Sequence, residues 1–427
     1  MNLSWQIEQY LPQQLLWLVS NVSGQATKLG QTVYLVGGVV RDLLLGYPSF
    51  DLDLVVEGDA VKLAQQMAQI SHAKLLTHPR FGTAKFCYSN FNLDMATARG
   101  ETYAQPGALP VVTPGTLKDD LSRRDFSINA MAVSLTSNDY GELIDPYQGK
   151  DDLEHHLICI LHSKSFRDDA TRILRAVRYE QRLGFQLEPQ TAQLLKRDIP
   201  MMDTISGDRI RHELELILRE KQPEFVIKRL AELGVLQGIS PFLIGDGWTA
   251  EKFKKARRSK KPSQLPSLYF CLLTYSFSER EIEQFLDRLN IPAKLSRAMR
   301  DTLNLKTKLS LLDKSSIKAS EIYYLLHEYE PLAIQANAIA SESSMVHYHL
   351  QLFLTKLRYV RTSLNGEELK RLGISSGPEM GKVLQSLHTA KLDGEVSTRT
   401  EEKKLALSLS RSYSGGKGRI FKTAGPT

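Results

Sequence analysis

Residues 33–56, VYLVGGVVRDLLLGYPSFDLDLVV, decide the fold. The apolar run Val33–Val36 reads as a short strand that stops at Gly37-Gly38, and VVRDLLLG spaces its apolar residues as a helix does. DLDLVV then alternates with period two, so a strand, turn, helix and second strand open an α/β module. Asp51 and Asp53 stand two apart on that second strand and project from one face. Carboxylates side by side repel one another and weigh against the fold unless a cation compensates them. Asp51 and Asp53 are therefore candidate metal ligands, in a geometry suited to two magnesium ions about 4 Å apart. Gly37 and Gly38 leave the strand end bare of side chains, where a phosphate can approach the backbone.

Working outward, AVKLAQQMAQI reads as a helix, and TAKFCY and NLDMATA read as two further strands. The result is a small mixed sheet with helices on one side, ending near residue 148. Asp94 falls in NLDMATA, expected beside the Asp51–Asp53 strand, and is a candidate base for the proton of an attacking hydroxyl. A plain edge-strand aspartate is the alternative. The stretch 96–112, ATARGETYAQPGALPVV, is polar and holds Pro and Gly, which predicts a mobile loop near the site.

In DDLSRRDFSINAMAV, adjacent guanidinium groups beside carboxylates offer bidentate donors to a triphosphate and acceptors to ribose hydroxyls. Arg124 and Asp125, with Asn129 four residues on, are candidate nucleotide contacts; a salt-bridged helix start is the competing reading. RDDATRILRAVRYEQRLGF predicts one helix carrying Asp168, Asp169, Arg172, Arg175 and Arg178. An aspartate accepts from an exocyclic amine while an arginine donates to a ring nitrogen or carbonyl, so Asp169 with Arg172 can read the pairing edge of a base. Cytosine and adenine carry that amine, and uracil does not. The competing reading for any single pair is an ion pair on a solvated helix.

Beyond residue 150 the strand signals fade, and GDRIRHELELILREK and PEFVIKRLAELGVL repeat apolar residues at helical spacing. The organisation predicted is an N-terminal helix over 1–26, an α/β head over 27–148, a helical neck over 149–240, and a helical body and tail over 241–406. Residues 407–427, rich in Ser, Gly and Lys, are expected to form a disordered tail.

Composition bounds the rest. An apolar share of 42% with 24% charged residues over 427 residues is that of a globular protein. The net charge is +7, and the run from Lys252 to Lys261, KFKKARRSKK, holds seven bases and no acid, so the excess is local. That run is either a phosphate-binding patch or a solvated loop between helices. Cys87, Cys159 and Cys271 lie far apart without metal-type spacing, which fits a reducing compartment such as the cytoplasm and argues against a disulfide scaffold or zinc site. No stretch of roughly 18 apolar residues occurs, so no membrane segment is expected.

With GGVVRD, DLDLVV, SRRDFSINA and RDDATRILRAVRY all read, the chain resembles the class II tRNA nucleotidyltransferases of the polymerase-β superfamily, the family of bacterial CCA-adding enzymes and poly(A) polymerases. The resemblance is specific to about residue 235 and extends through GDRIRHELELIL and NGEELKRLGISSGPEMGKVLQSLHTAKLDGEV; residues 245–360 match weakly. It implies a polymerase-β-like α/β head, a mixed sheet with helices, joined to an all-α neck, body and tail. Extra N-terminal domains of some relatives are not expected here. Carried over by position, it implies that Gly38 and Arg41 touch nucleotide phosphates and that Asp51 and Asp53 bind two magnesium ions, or manganese. It implies further that Arg124 contacts the sugar-phosphate, and that Asp169 and Arg172 select the base with Arg175 and Arg178 in support. The substrates implied are ATP, CTP or both, and the partner is the acceptor stem and 3′ end of tRNA.

One departure is that the base-reading motif usually begins Glu-Asp, whereas here it begins Asp168-Asp169; the base-pairing acid, Asp169, is unaffected. In relatives the loop matching 96–112 influences the switch from C to A, and its length here resembles that of A-incorporating members. Full CCA addition, CC addition alone, A addition alone and untemplated poly(A) synthesis share these motifs. A non-catalytic RNA-binding protein would be expected to have lost the carboxylate pair or RRD, and both are intact. Transfer to a small molecule or protein fits poorly with the long helical body.

Overall fold

The computed structural model describes residues 1–414 apart from 49, 72, 89–90, 103–106, 109–110 and 260–263. Two compact units divide it, Met1–Ala250 and Glu251 onward. The first joins the expected N-terminal helix, head and neck. The predicted single N-terminal helix is two, α1 (Ser4–Tyr10) and α2 (Gln13–Lys28), because Pro12 has no N–H to continue the first. Both bury apolar residues in the head's own core.

The head alternates β1 (Thr32–Val36), α3 (Gly38–Leu44), β2 (Asp51–Glu57), α4 (Ala60–Ser71), β3 (Lys74–His78), β4 (Thr83–Tyr88) and β5 (Phe91–Thr97). After these come β6 (Arg99–Thr102), β7 (Val111–Pro114), α5 (Leu117–Ser122), β8 (Ala132–Ser134) and β9 (Leu143–Ile144). Seven strands form one sheet in the order β3-β4-β5-β2-β1-β8-β9. It is mixed, since β2 and β5 run parallel at its centre while the other pairs are antiparallel.

Alternation along β2 sorts its residues between two environments. Leu52, Leu54 and Val56 enter a core with Leu15, Leu18, Leu63 and Met67 from α2 and α4. On the opposite face Val55 joins Val36, Ala98 and Ala132 under Leu117 and Leu121 of α5. Helices therefore do not keep to one side as predicted: α5 covers part of the second face, the one that carries Asp51 and Asp53. The predicted mobile loop over 96–112 is in part ordered, with β6 and β7 pairing as an antiparallel ribbon from Arg99↔Pro114 to Thr102↔Val111. The residues at its tip lie largely outside the described set.

The remainder of the first unit is helical but for the two-residue parallel pairing of β10 (Leu157–Ile158) with β11 (Gln186–Leu187). Its helices are α6 (Gly149–Glu154), α7 (Ser165–Asp168), α8 (Thr171–Leu183), α9 (Pro189–Asp198), α10 (Gly207–Leu218), α11 (Pro223–Glu232) and α12 (Val235–Ile239). Asp168 and Asp169 do not share a helix with the arginines as predicted. The chain breaks at Asp169, whose φ of −143° and ψ of 101° are extended, and α8 starts two residues later.

The second unit is helical among its described residues. The basic run is no loop: through Ser259 it lies in α13 (Gly247–Ser259), and Lys252 is fully buried against Glu251 and Glu342. Lys254, Lys255 and Arg258 remain exposed. The disorder predicted from 407 does not begin there, since the last helix runs Arg399–Ser414; 415–427 lie outside the described residues. No described helix is long and apolar enough to cross a membrane.

Candidate active site

The glycine turn sets the geometry. Gly37 adopts φ 74° and ψ −132°, a conformation L side chains rarely take, and caps α3 at the end of β1. A Cβ there would stand 2.6 Å from Arg124 Nη1 and 3.7 Å from Asp53 Oδ2. The backbone conformation is what requires glycine; a side chain would also have to displace the Arg124 guanidinium, which lies over the turn beside the Asp53 carboxylate.

The aspartates stand as β pairing dictates. Asp51 and Asp53 are both exposed on one face of β2, and the parallel register sets Asp53 against Asp94 and Asp51 against Asn92. Asn92 Nδ2 is 3.5 Å from Asp51 Oδ1, and Lys85 Nζ, one strand farther, is 3.5 Å from Asp94 Oδ2. Asp53 meets solvent through a cavity of about 310 Å³ that it lines with Asp94, Lys85, His78, Arg123 and Arg124. Solvent reaches Asp53, but neighbouring atoms crowd its carboxylate, and this partial desolvation raises its pKa. Arg124 opposes the rise, while Asp94 and Asp51 add to it and Lys85 opposes it more weakly.

The two arginines are held from behind. Thr116 and Asp119 close a reciprocal cap on α5, with Thr116 N donating to Asp119 Oδ2 at 2.8 Å. One turn on, Asp120 is 0% exposed and receives Arg123 at 2.5 Å and Arg124 at 3.0 Å. Arg123 also pairs with Glu101 of β6 at 3.1 Å, which ties the ribbon to the same cluster.

A second cavity, also of about 310 Å³, shares Arg123 and Arg124 with the first and adds Glu101, Asp125, Asp169, Thr171, Arg172, Arg175 and Glu213. The break before α8 turns Asp169 into it. Oδ1 of Asp169 accepts from Thr171 N at 2.9 Å and Thr171 Oγ1 at 2.6 Å, and pairs with Arg209 at 2.8 Å. Arg172, 5% exposed, donates to Ser165 Oγ and to the Arg123 carbonyl, both at 2.7 Å. Arg175 donates through Nε at 2.9 Å and Nη2 at 2.5 Å to Asp125 Oδ2. Burial alone would raise the Asp125 carboxyl, but the Arg175 charge and hydrogen bonds outweigh it and hold it below the usual range.

Other candidates lie behind these walls. Arg41 is buried, donates to Asn129 Oδ1 at 2.8 Å and to Asp42, and Asn129 in turn donates to Asp125 at 3.1 Å. Arg178 is buried with Glu213 at 3.5 Å and Glu220 at 3.6 Å. Neither Arg41, Asn129 nor Arg178 lines the two cavities. The Tyr179 ring gathers Arg41, Arg175 and Arg178 at 5.4, 5.7 and 5.0 Å. Tyr179, Arg209, Glu213, Glu101 and Lys85 were not singled out from the sequence. Tyr179, one residue past Arg178, carried a local signal, but the others become legible only through distant partners.

Residues 33–159 match the model of the poly A polymerase head domain, and 184–244 match a probable RNA- and SrmB-binding site of polymerase A. The chain is 34% identical to an A-adding tRNA nucleotidyltransferase of Geobacter sulfurreducens over 95% of its own length, and spans about half, 48%, of that longer protein. It is 34% identical to the A-adding tRNA nucleotidyltransferase of Halalkalibacterium halodurans, with 93% of this chain and 92% of the relative covered. Its fold is similar to an apo CCA-adding enzyme at TM-score 0.80 and 31% identity, covering 96% of this chain and 99% of the other. The Thermotoga maritima CCA-adding enzyme in complex with tRNA matches at TM-score 0.75 and 30% identity, covering 96% and 98%.

The electrostatics make two outcomes testable. Removing a fully buried carboxylate strands the charges it paired, so Asp120→Ala should lower unfolding free energy by about 3–5 kcal/mol, read by urea denaturation. For Asp53 the folded pKa lies above the unfolded one, so ionisation opposes folding. That penalty is absent below the unfolded pKa and complete above the folded one. Asp53→Asn should therefore melt higher than wild type at neutral pH without divalent metal, and the gap should close as pH falls below the usual aspartate range. A lower melting temperature for Asp53→Asn at neutral pH contradicts this.

Proposed function

The chain belongs to the tRNA nucleotidyltransferase and poly(A) polymerase family, and from that footing we propose that it transfers nucleotides from ATP or CTP to the 3′ end of tRNA, with the terminal A as its product. The observation that carries this is the meeting of Asp53, Asp94, Arg123 and Arg124 in one cleft that continues to Asp169 and Arg172. Product choice rests on the A-adding relatives at 34% identity. The unpaired thiols of Cys87, Cys159 and Cys271 fit a reducing compartment such as the cytoplasm.

Asp51 and Asp53 suit a divalent cation. They are hard oxygen donors on one face of β2, with the carboxylate of Asp94 beside Asp53. Magnesium held there, or manganese, would neutralise the triphosphate and favour ionisation of the attacking hydroxyl. The chain's own groups do the rest. Arg124, fixed over the Gly37 turn, and Arg123 bind phosphate oxygens, and Asp94 takes the proton of the 3′ hydroxyl. The 3′ oxygen forms its bond to the α-phosphorus as the bond to the β-phosphate oxygen breaks, and pyrophosphate departs.

Asp169, whose side chain lines the second cavity, offers its carboxylate as acceptor for the exocyclic amine of the incoming base, a group adenine and cytosine carry and uracil lacks. Arg172 keeps that wall in place through Ser165 and the Arg123 carbonyl, and Arg175 and Arg178 position the walls through Asp125 and Glu213. On the tRNA side, Lys254, Lys255 and Arg258 of α13 are candidate backbone contacts, whereas Lys252 is committed to Glu251 and Glu342.

Purified protein given tRNAs that lack A, CA or CCA, with ATP and CTP supplied separately, should add AMP to tRNA ending in CC. CMP addition to tRNA lacking CCA would instead assign the full sequence. Asp51→Ala and Asp53→Ala should each lose several orders of magnitude in turnover, and near-normal turnover would end the assignment. Asp169→Ala should relax discrimination against UTP more than it weakens triphosphate binding. Unchanged selectivity in a competition assay would refute that role.

A further inference from the structure

The cavity at the paired aspartates has two ends. The register sets Lys85, Asp94 and Asp53 in a row and Arg124 lies beside Asp53, so among the lining residues the arginines mark one end and Lys85, with His78 and Thr83, the other. In-line displacement at phosphorus sets the attacking and leaving oxygens on opposite sides. If the triphosphate, with its departing pyrophosphate, sits at the arginine end, the acceptor hydroxyl must arrive from the lysine end. This step rests on the function proposed above.

What lies at that end is an open sheet face. Lys74, Leu76 and His78 of β3 and Lys85 and Cys87 of β4 are the exposed positions, on the same side as Asn92, Asp94, Asp51 and Asp53. Lys85, Asp94 and Asp53 form one row across β4, β5 and β2. Neither β3, KLLTH, nor β4, TAKFCY, contains an acid, so the face grows cationic with distance from the aspartates. Leu76, 57% exposed, lies directly across from Lys85, and Lys74 is two residues along the same strand. Two residues along and one strand over separates the Lys74 and Lys85 backbones by about 8 Å. An apolar side chain flanked by two cations on an uncovered sheet fits a nucleobase between phosphates.

We propose that the open face of β3, β4 and β5 receives the single-stranded 3′ end of the RNA acceptor. Lys85 binds the phosphodiester next to the reacting hydroxyl, Lys74 the next one outward, and Leu76 contacts the base between. The Lys85–Asp94 pair, at 3.5 Å with both side chains about half exposed, is a weak surface contact that an entering phosphate can displace. Release of Lys85 also frees Asp94 for the hydroxyl proton.

The test measures tRNA and ATP kinetics separately for wild type, Lys85→Ala, Lys85→Arg and Lys74→Ala. Lys85→Ala should raise KM for tRNA severalfold and leave KM for ATP unchanged. It should also reduce the slope of log kcat/KM for tRNA against log salt by about 0.7, the increment of one single-strand phosphate contact. Lys85→Arg should restore most of the loss, and Lys74→Ala should show a smaller change of the same kind. Unchanged tRNA KM and salt slope in Lys85→Ala overturn the inference. So does a shifted acid limb of the pH–rate profile with tRNA KM unmoved, since Lys85 would then serve Asp94 alone. Wild-type protein that binds ATP yet extends no RNA strikes down the proposed function and this inference with it, whereas normal wild-type extension beside an unaffected Lys85→Ala strikes the inference alone.

Discussion

One buried carboxylate, Asp120, sets the position of the two arginines that both cavities of the candidate site share. A lone ionised carboxylate cannot be held out of water without strong compensation, and here Arg123 and Arg124 provide it from the next helical turn. Their guanidinium groups are thereby aimed across the β2 face instead of into solvent. The neck fastens to the same turn of chain: Arg172 donates to the Arg123 carbonyl, and Arg175 grips Asp125. The wall that bears Asp169 is therefore registered to the strand that bears Asp53 through three consecutive residues.

The opposing acids depend on a different constraint. Parallel pairing of β2 with β5 stands Asp53 beside Asp94, and alternation leaves both on the face that α5 covers only in part. Beyond α5 the positions Asp51, Asp53, Asn92, Asp94 and Lys85 are exposed, and Asp53, Asp94 and Lys85 line the cleft there. Its floor is acidic and its two ends are cationic, a layout that matches a polyanion crossing a metal-binding centre. Gly37 makes the closest approach possible, because any side chain there would meet the Arg124 guanidinium.

Several differences between expectation and structure share one cause. The 96–112 stretch looks like a loop because its polar residues, Pro and Gly lack periodicity, yet Arg99–Thr102 finds a partner in Val111–Pro114 and becomes a ribbon. The Asp168–Arg178 stretch has unbroken helical spacing, yet the chain opens at Asp169 because Thr171 and Arg209 offer its carboxylate better partners than a helix surface does. Lys252 opens a basic run that reads as a phosphate-binding patch or a solvated loop, but Glu342, ninety residues away and itself exposed, pairs with its buried side chain.

The sequence by itself determined the α/β head, the helical character of the chain beyond it, the shared face of Asp51 and Asp53, and the family. These rest on periods of two and 3.6 residues, properties of the local backbone, and on short motifs whose members are neighbours in the chain. Tertiary structure alone decided which charges meet: that Arg172 and Arg175 each reach the Arg123–Asp125 turn, that Arg209 and Glu213 reach the Asp169 wall, and that Lys85 stands beside Asp94. Arg175 and Asp125 are fifty residues apart, and Lys252 and Glu342 ninety. No pattern along the chain encodes such separations, because each partner is chosen by where folding of the intervening chain brings its ends together.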